Sequence, residues 1–183
     1  MTGVQVHQAA NEFRALRIAV LTVSDTRGFD DDRSGAALCE LAEADGHVVA
    51  EREIVRDDRY RIRAVVSRWI ADPGIDGIIA TGGTGFTGRD CTPGAVRPLL
   101  DDEIPGFGEL FRQLSREEIG SSAIQSRALA GFANRTFLAC LPGSTGACRD
   151  AWKGILREQL DVRHRPCNLA ELVLFGNHDG RQA

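Results

Sequence analysis

The stretch Ile75-Asp-Gly-Ile-Ile-Ala-Thr81, followed at once by Gly82-Gly-Thr-Gly-Phe-Thr-Gly88-Arg-Asp-Cys-Thr-Pro93, decides the fold class. Its first part is a short apolar run, which is how a strand covered on both faces reads. Its second part places four glycines and three threonines within the eleven residues 82–92. Such a loop lets backbone amides approach an anion closely, and its hydroxyls can complete the hydrogen bonds. Thr92-Pro93 then has the cap-then-proline order that opens a helix.

The same alternation extends in both directions. Upstream, Arg17 to Ser24 is nearly continuous in apolar and β-branched residues and predicts a central strand. Ser34 to Gly46 predicts a helix, with Ala37, Leu38, Leu41 and Ala42 at helical spacing, Ser34 as its cap and Gly46 as its stop. His47 to Val55 reads as a strand, and Asp58 to Ala71 puts Ile62, Val65, Val66, Trp69 and Ile70 on one helical face before Asp72-Pro73-Gly74 breaks it. Downstream, Thr136 to Leu141 predicts a fourth strand, leading through Pro142-Gly-Ser-Thr into a helix from about Gly146 to Gln159. Two more helices are predicted between these strands, near Gly108 to Ser115 and Ser121 to Ala130. The pattern predicts an α/β fold: a three-layer, doubly wound, mostly parallel sheet flanked by helices.

The chain has 183 residues, 43% hydrophobic and 26% charged, which predicts one α/β domain over 17–176 with an N-terminal extension, 1–16, and a C-terminal tail, 177–183. Met1 to Ala15 and Asn177 to Ala183 read as weakly ordered ends. A chain this long buries roughly 70% of the surface its unfolded form exposes, so no disulfide or metal staple is required. The net charge of −4 is opposite in sign to the footprint of a phosphate-backbone binder, so nucleic acid is not an expected partner. No stretch approaches the ~18 apolar residues of a membrane span and the first residues lack a signal-peptide core, so a cytoplasmic protein without membrane contact is expected. Cys39, Cys91, Cys140, Cys148 and Cys167 form no CxxC pair and read as reduced, structural thiols. His7, His47, His164 and His178 form no ligand-spaced cluster.

In an open parallel sheet, ligands bind beyond the carboxyl ends of the strands. That rule selects four loops: Ser24 to Arg27, Arg56 to Arg59, Gly82 to Pro93, and Pro142 to Gly146. The third is a phosphate cradle by composition, and the fourth repeats it on a smaller scale at the start of a helix. Two cradles imply two anionic ligands, or one long one. Plainer roles compete for the polar residues. Asp57 or Asp58 can cap the second helix, worth about 1 kcal/mol; Asp90 can brace its own loop; Ser144 or Thr145 can cap the last long helix. Gly83 to Gly88 matches GxGxxG, but the helix opens too late for a dinucleotide fingerprint. A P-loop needs a lysine, and Lys153 is the only lysine in the chain.

Thr22-Val-Ser-Asp-Thr26, Gly82 to Pro93, Pro105-Gly-Phe-Gly-Glu109, Ile124-Gln-Ser-Arg-Ala128 and Leu141-Pro-Gly-Ser-Thr-Gly-Ala-Cys148, in this order, resemble the molybdenum cofactor biosynthesis family that includes the molybdopterin adenylyltransferases. The likeness runs from about Arg17 to Asn168 and is greatest to the bacterial MoaB branch, relatives of MogA. The resemblance implies that ATP and molybdopterin are joined with release of pyrophosphate. It implies that Asp57 and Asp90 form the catalytic pair that binds Mg²⁺, with Asp58 as a substitute for Asp57. It further implies that Gly82, Gly83, Thr84, Gly85 and Thr92 contact nucleotide phosphates or sugar, and that Ser24 and Asp25 line the same crevice. Ser126, Pro142, Gly143 and Ser144 then help to hold pterin or phosphate. A homo-oligomer, trimer or hexamer, is expected on the same ground, with a molybdenum insertion enzyme as a downstream partner. The alternative is a non-catalytic molybdopterin-binding or scaffold protein of the same fold.

Overall fold

The computed structural model describes residues 12–176. Its sheet comprises β1 (Arg17–Val23), β2 (Val48–Val55), β3 (Gly77–Thr81), β4 (Asp102–Glu103), β5 (Leu129–Ala133) and β6 (Thr136–Leu141), in the order β2-β1-β3-β6-β5-β4. The first four in that order are mutually parallel. β5 runs antiparallel to β6, and β4 antiparallel to β5. The helices are α1 (Arg33–Ala44), α2 (Arg59–Ile70), α3 (Thr92–Val96), α4 (Pro105–Ile119), α5 (Thr145–Ala151), α6 (Arg157–Gln159) and α7 (Leu169–Phe175).

Successive strand residues enter opposite faces, so a strand apolar throughout needs cover on both. On β1, Ile18 and Val20 join one cluster with Leu38 of α1, Phe111 of α4 and Trp152. Ala19 and Leu21 join the other with Ile62, Val66 and Trp69 of α2 and Val96 of α3. The three-layer architecture follows. Thr22 pairs with Thr81 and Thr81 with Leu141, so β1, β3 and β6 end level with one another and release their loops along one edge.

Several local expectations are corrected. Asp32, not Ser34, caps α1: its fully buried carboxylate accepts the Gly35 N–H at 2.9 Å and the Ser34 hydroxyl at 3.2 Å. An ionised acceptor holds the amide more strongly than a hydroxyl does. β2 begins at Val48, because His47 turns its ring inward and Nδ1 accepts the Leu16 N–H at 3.2 Å. β3 begins at Gly77, because the Ile75 N–H donates to Asp72 O in the preceding turn. α3 starts at Thr92 with Pro93 behind it, which moves the cap position to Cys91, where no side chain caps.

The largest correction lies between β3 and β6. The helix expected over Ser121 to Ala130 is a 3-10 turn, Gly120–Gln125, followed by strand β5. The alanines of Leu129-Ala-Gly-Phe-Ala favour a helix locally, yet Gly131 serves a sheet: a Cβ there would meet Asp102 O at 2.4 Å, so only glycine lets β4 pair so closely. The helix expected over Gly108 to Ser115 is the longer α4. The one expected over Gly146 to Gln159 begins at Thr145 and runs through a π-type turn at Trp152–Leu156. α7 had no counterpart in the sequence reading. The expected weak order of the ends falls mostly on residues 1–11 and 177–183, outside the described residues; Phe13, within them, sets its ring 5.4 Å from that of His47.

Candidate active site

The four loops released along the carboxyl edge, with Ile119, Ser122 and Gln125 from the end of α4 and the turn after it, border an open crevice of about 580 Å³. Ser24, Asp25, Asp57, Gly82, Gly83, Thr84, Gly85, Asp90, Ser126, Pro142, Gly143 and Ser144 line it. Thr92 lies beneath this lining, fully buried. At Gly82 and Gly83 nothing larger fits. Gly82 has φ +103°, and a Cβ on it would stand 2.2 Å from Val23 O. Gly83 has φ +62°, and its Cβ would meet Thr92 Oγ1 at 2.4 Å and Asp57 Oδ2 at 2.6 Å. A Cβ on Gly143 would come within 3.3 Å of the Gly82 Cα, so the third and fourth loops and the end of β1 pack backbone to backbone.

The two adjacent aspartates after β2 divide their work. Asp58 caps α2, accepting the N–H groups of Tyr60 at 3.0 Å and Arg61 at 2.9 Å. Asp57 is thereby released from capping and turns to the glycine loop. Its Oδ1 accepts the backbone N–H and the thiol of Cys91, each at 3.0 Å. Burial, that hydrogen bond and the carboxylate charge push the Cys91 thiol up to about 12, so it stays protonated and donates. Asp90 braces its own loop as the plainer reading anticipated: Oδ2 accepts the N–H of Thr87 at 2.8 Å and its hydroxyl at 2.5 Å. Among the described residues, neither Asp57 Oδ2 nor Asp90 Oδ1 takes a hydrogen bond. Each aspartate therefore has one oxygen that the described residues leave without a hydrogen bond.

Other expected contacts are partly spent on structure. Ser24 Oγ accepts the amides of Thr26 and Arg27, Ser144 Oγ caps α5, and Ser126 Oγ accepts the Ala128 N–H. Asp25 pairs with Arg89 at 2.6 Å, tying the first loop to the glycine loop. Thr92 Oγ1 is the contrary case, a buried hydroxyl without a hydrogen-bond partner among the described residues. A buried polar atom left unmatched is costly unless something else completes it.

Sequence reasoning missed four supporting residues. Arg27 joins the first and fourth loops, donating to Gly143 O at 3.0 Å and to Ser34 Oγ at 3.2 Å. Asp32 ties Thr22 of β1 to Arg52 of β2 behind them. Burial raises the Asp32 pKa, but the Arg52 hydrogen bond, the Gly35 and Thr22 donors and the Arg52 charge outweigh it, and the net shift is downward. Cys91 was read as merely structural, and Arg127 reaches the glycine loop from the segment after α4. Nothing in their spacing marks these four, because each acts through a partner distant in sequence.

Among the described residues no three His, Cys, Asp or Glu side chains are grouped to hold a metal. Two carboxylates with one unengaged oxygen each suit a hard divalent cation whose remaining ligands are water and phosphate oxygens.

A family profile described as a probable molybdopterin binding domain matches residues 19–162. The chain is 53% identical over 161 residues to molybdenum cofactor biosynthesis protein B of Escherichia coli, covering 88% of this chain and 95% of that protein. A crystal structure of molybdenum cofactor biosynthesis protein B superposes with a TM-score of 0.78 at 44% identity, covering 80% of this chain and 92% of that one. A structure of MogA superposes with a TM-score of 0.71 at 29% identity, covering 79% and 94%.

Proposed function

We propose, from the premise that the chain belongs to the MoaB/MogA family of molybdenum cofactor biosynthesis proteins, that it transfers the adenylyl group of ATP to the terminal phosphate of molybdopterin, giving adenylylated molybdopterin and pyrophosphate. A role in molybdenum cofactor biosynthesis comes with the family. The transfer itself is supported chiefly by the division between Asp58, which caps α2, and Asp57, which shares the cavity with Asp90 and the glycine loop.

A phosphate monoester has a second pKa of about 6 and is largely ionised at neutral pH, so the nucleophile needs no side-chain base. What the reaction requires of the protein is in-line placement of two anions and compensation of their charge. In this reading Gly82, Gly83, Thr84 and Gly85 hold the nucleotide phosphates through backbone amides, and the Thr92 hydroxyl finds its missing partner there. Ser126 and the turn Pro142-Gly143-Ser144 hold the pterin side, with Ser24 and Asp25 as the wall between. Asp57 and Asp90 hold Mg²⁺, which when bound neutralises charge on the triphosphate and on the departing pyrophosphate. We also infer a homo-oligomer of three or six chains, supported by the exposed Leu110, Ile119 and Ile124 between β4 and β5, and transfer of the product to a molybdenum insertion enzyme.

Purified protein with ATP, Mg²⁺ and molybdopterin should release pyrophosphate. Asp90→Asn should lower the rate at least about a hundredfold with an unchanged circular dichroism spectrum, and chelation of the metal should stop the reaction. Equal rates for the wild type and the variant would remove the metal assignment. The second reading, a molybdopterin binder without turnover, draws support from the hydrogen bonds that already occupy one oxygen of each aspartate. It predicts that ATP binds in calorimetry no better with Mg²⁺ than without.

A further inference from the structure

Beyond the Asp90 side chain, the glycine loop has few backbone ties of its own. Asp90 N–H donates to Thr87 O, and Thr92 N–H donates to Gly83 O. The carbonyls of Thr84, Gly85 and Asp90 are left to be satisfied from elsewhere, and all three converge on Arg127. Its backbone N–H donates to Thr84 O at 3.2 Å and its Nε to the same oxygen at 3.4 Å. Its Nη2 donates to Gly85 O and, at 2.7 Å, to Asp90 O. The guanidinium carbon also stands 4.9 Å from the centre of the Phe86 ring at the loop tip.

We propose that Arg127 is the positioning residue that makes this loop an anion cradle, by drawing three carbonyls to one side so that the following amides face the other. The reason is peptide geometry. In a trans peptide the C=O of one residue and the N–H of the next point in opposite directions. Thr84 O held by Arg127 turns the Gly85 N–H away from it, and Gly85 O does the same for Phe86. Among the described residues, neither of these amides has an acceptor. Asp90 O held by Arg127 turns the Cys91 N–H away likewise, and that amide is the one that holds Asp57 Oδ1 at 3.0 Å. One guanidinium thus orients both the cradle and, through the Asp90–Cys91 peptide, the carboxylate beside it. Among the described residues no carboxylate is paired with Arg127, so its charge adds to that of Arg27 beside a crevice that Asp25, Asp57 and Asp90 also line.

This inference rests on reading the crevice as a nucleotide site, and its first test does not depend on turnover. In the full chain, Arg127→Ala should speed hydrogen exchange across residues 82–91 at least about tenfold while β1, β3 and β6 stay protected. Mg-ATP affinity in calorimetry should weaken by a similar factor, and millimolar methylguanidinium should restore both. Arg127→Lys covers the case in which the alanine variant does not fold. An ammonium keeps the charge but cannot span three carbonyls, so loop exchange should still rise. Wild-type loop exchange in either variant, or acceleration spread evenly through the sheet, overturns the proposal. If the wild type released no pyrophosphate while Arg127→Ala loosened the loop alone, the proposed reaction would fail and the positioning role would stand.

Discussion

Two neighbouring side chains of the same kind, Asp57 and Asp58, have different fates because only one can reach the first amides of α2. Asp58 accepts both Tyr60 and Arg61 N–H groups, so Asp58→Ala should cost about 1 kcal/mol in denaturant unfolding and leave pyrophosphate release within about twofold of the wild type. Asp57→Asn should do the reverse: it keeps an acceptor for Cys91 N–H but loses the charge facing the cavity, so activity falls while stability holds. A variant pair that lost stability and activity in parallel would show that the two aspartates do not divide the roles. From the sequence the pair was ambiguous, since both stand immediately before a helix. What separates them is the backbone path out of β2, which aims the first at Cys91, a residue thirty-four positions away.

At the scale of elements, the joint between the segment before β1, the start of β2 and the helix through Trp152 is titratable. His47 is buried, accepts the Leu16 N–H at Nδ1, and meets the Trp152 ring edge-on at 6.2 Å. Burial lowers its pKa below the ordinary value, while Asp45 and Asp161 oppose the shift without cancelling it. The folded state therefore prefers the neutral ring, and the unfolded chain takes up the proton first as pH falls. Stability from this group is complete above about pH 6.5 and is lost as the pH drops from there through the folded-state pKa. Asp32, whose folded pKa is lowered, gives up its contribution only below about pH 4. Unfolding free energy measured between pH 8 and 5 should decline on acidification, and His47→Gln should flatten that decline. An equal slope in the variant would assign it to other groups. Elements also mark where sequence reading failed: β1, β3 and β6 were legible because their apolar runs are continuous, whereas β5 was not, because alanine and glycine carry no strand signal without β6 beside them.

For the whole molecule, the exposed Leu110, Ile119 and Ile124 lie in the segment that a minimal crossover would not need. Three large exposed apolar side chains within fifteen residues of one segment are the composition an interface uses. Light scattering should report a mass three or six times the 19.8 kDa of one chain, and Ile124→Glu should shift it downward; a monomer in the wild type would contradict the inferred assembly. The sheet order supports the placement of the candidate site at the same scale. The chain leaves β1 toward β2 on one side and leaves β3 toward β4, β5 and β6 on the other, so the connections diverge between β1 and β3, which is where a crevice opens at the carboxyl edge of a doubly wound sheet.

Periodicity and glycine composition along the chain were enough to place β1, β2, β3 and β6 with the helices between them, the edge at which the loops meet, and the glycine-crowded loop after β3. These properties are local: a strand covered on both faces, or a loop too crowded for a Cβ, leaves its mark on consecutive residues. Which aspartate faces the cavity, which residue caps α1, how β5 pairs, and how Arg127 holds three carbonyls of the glycine loop emerged only in three dimensions. Each of those depends on a hydrogen bond or a strand pairing whose geometry is set by the folded backbone, and residue order alone does not specify it.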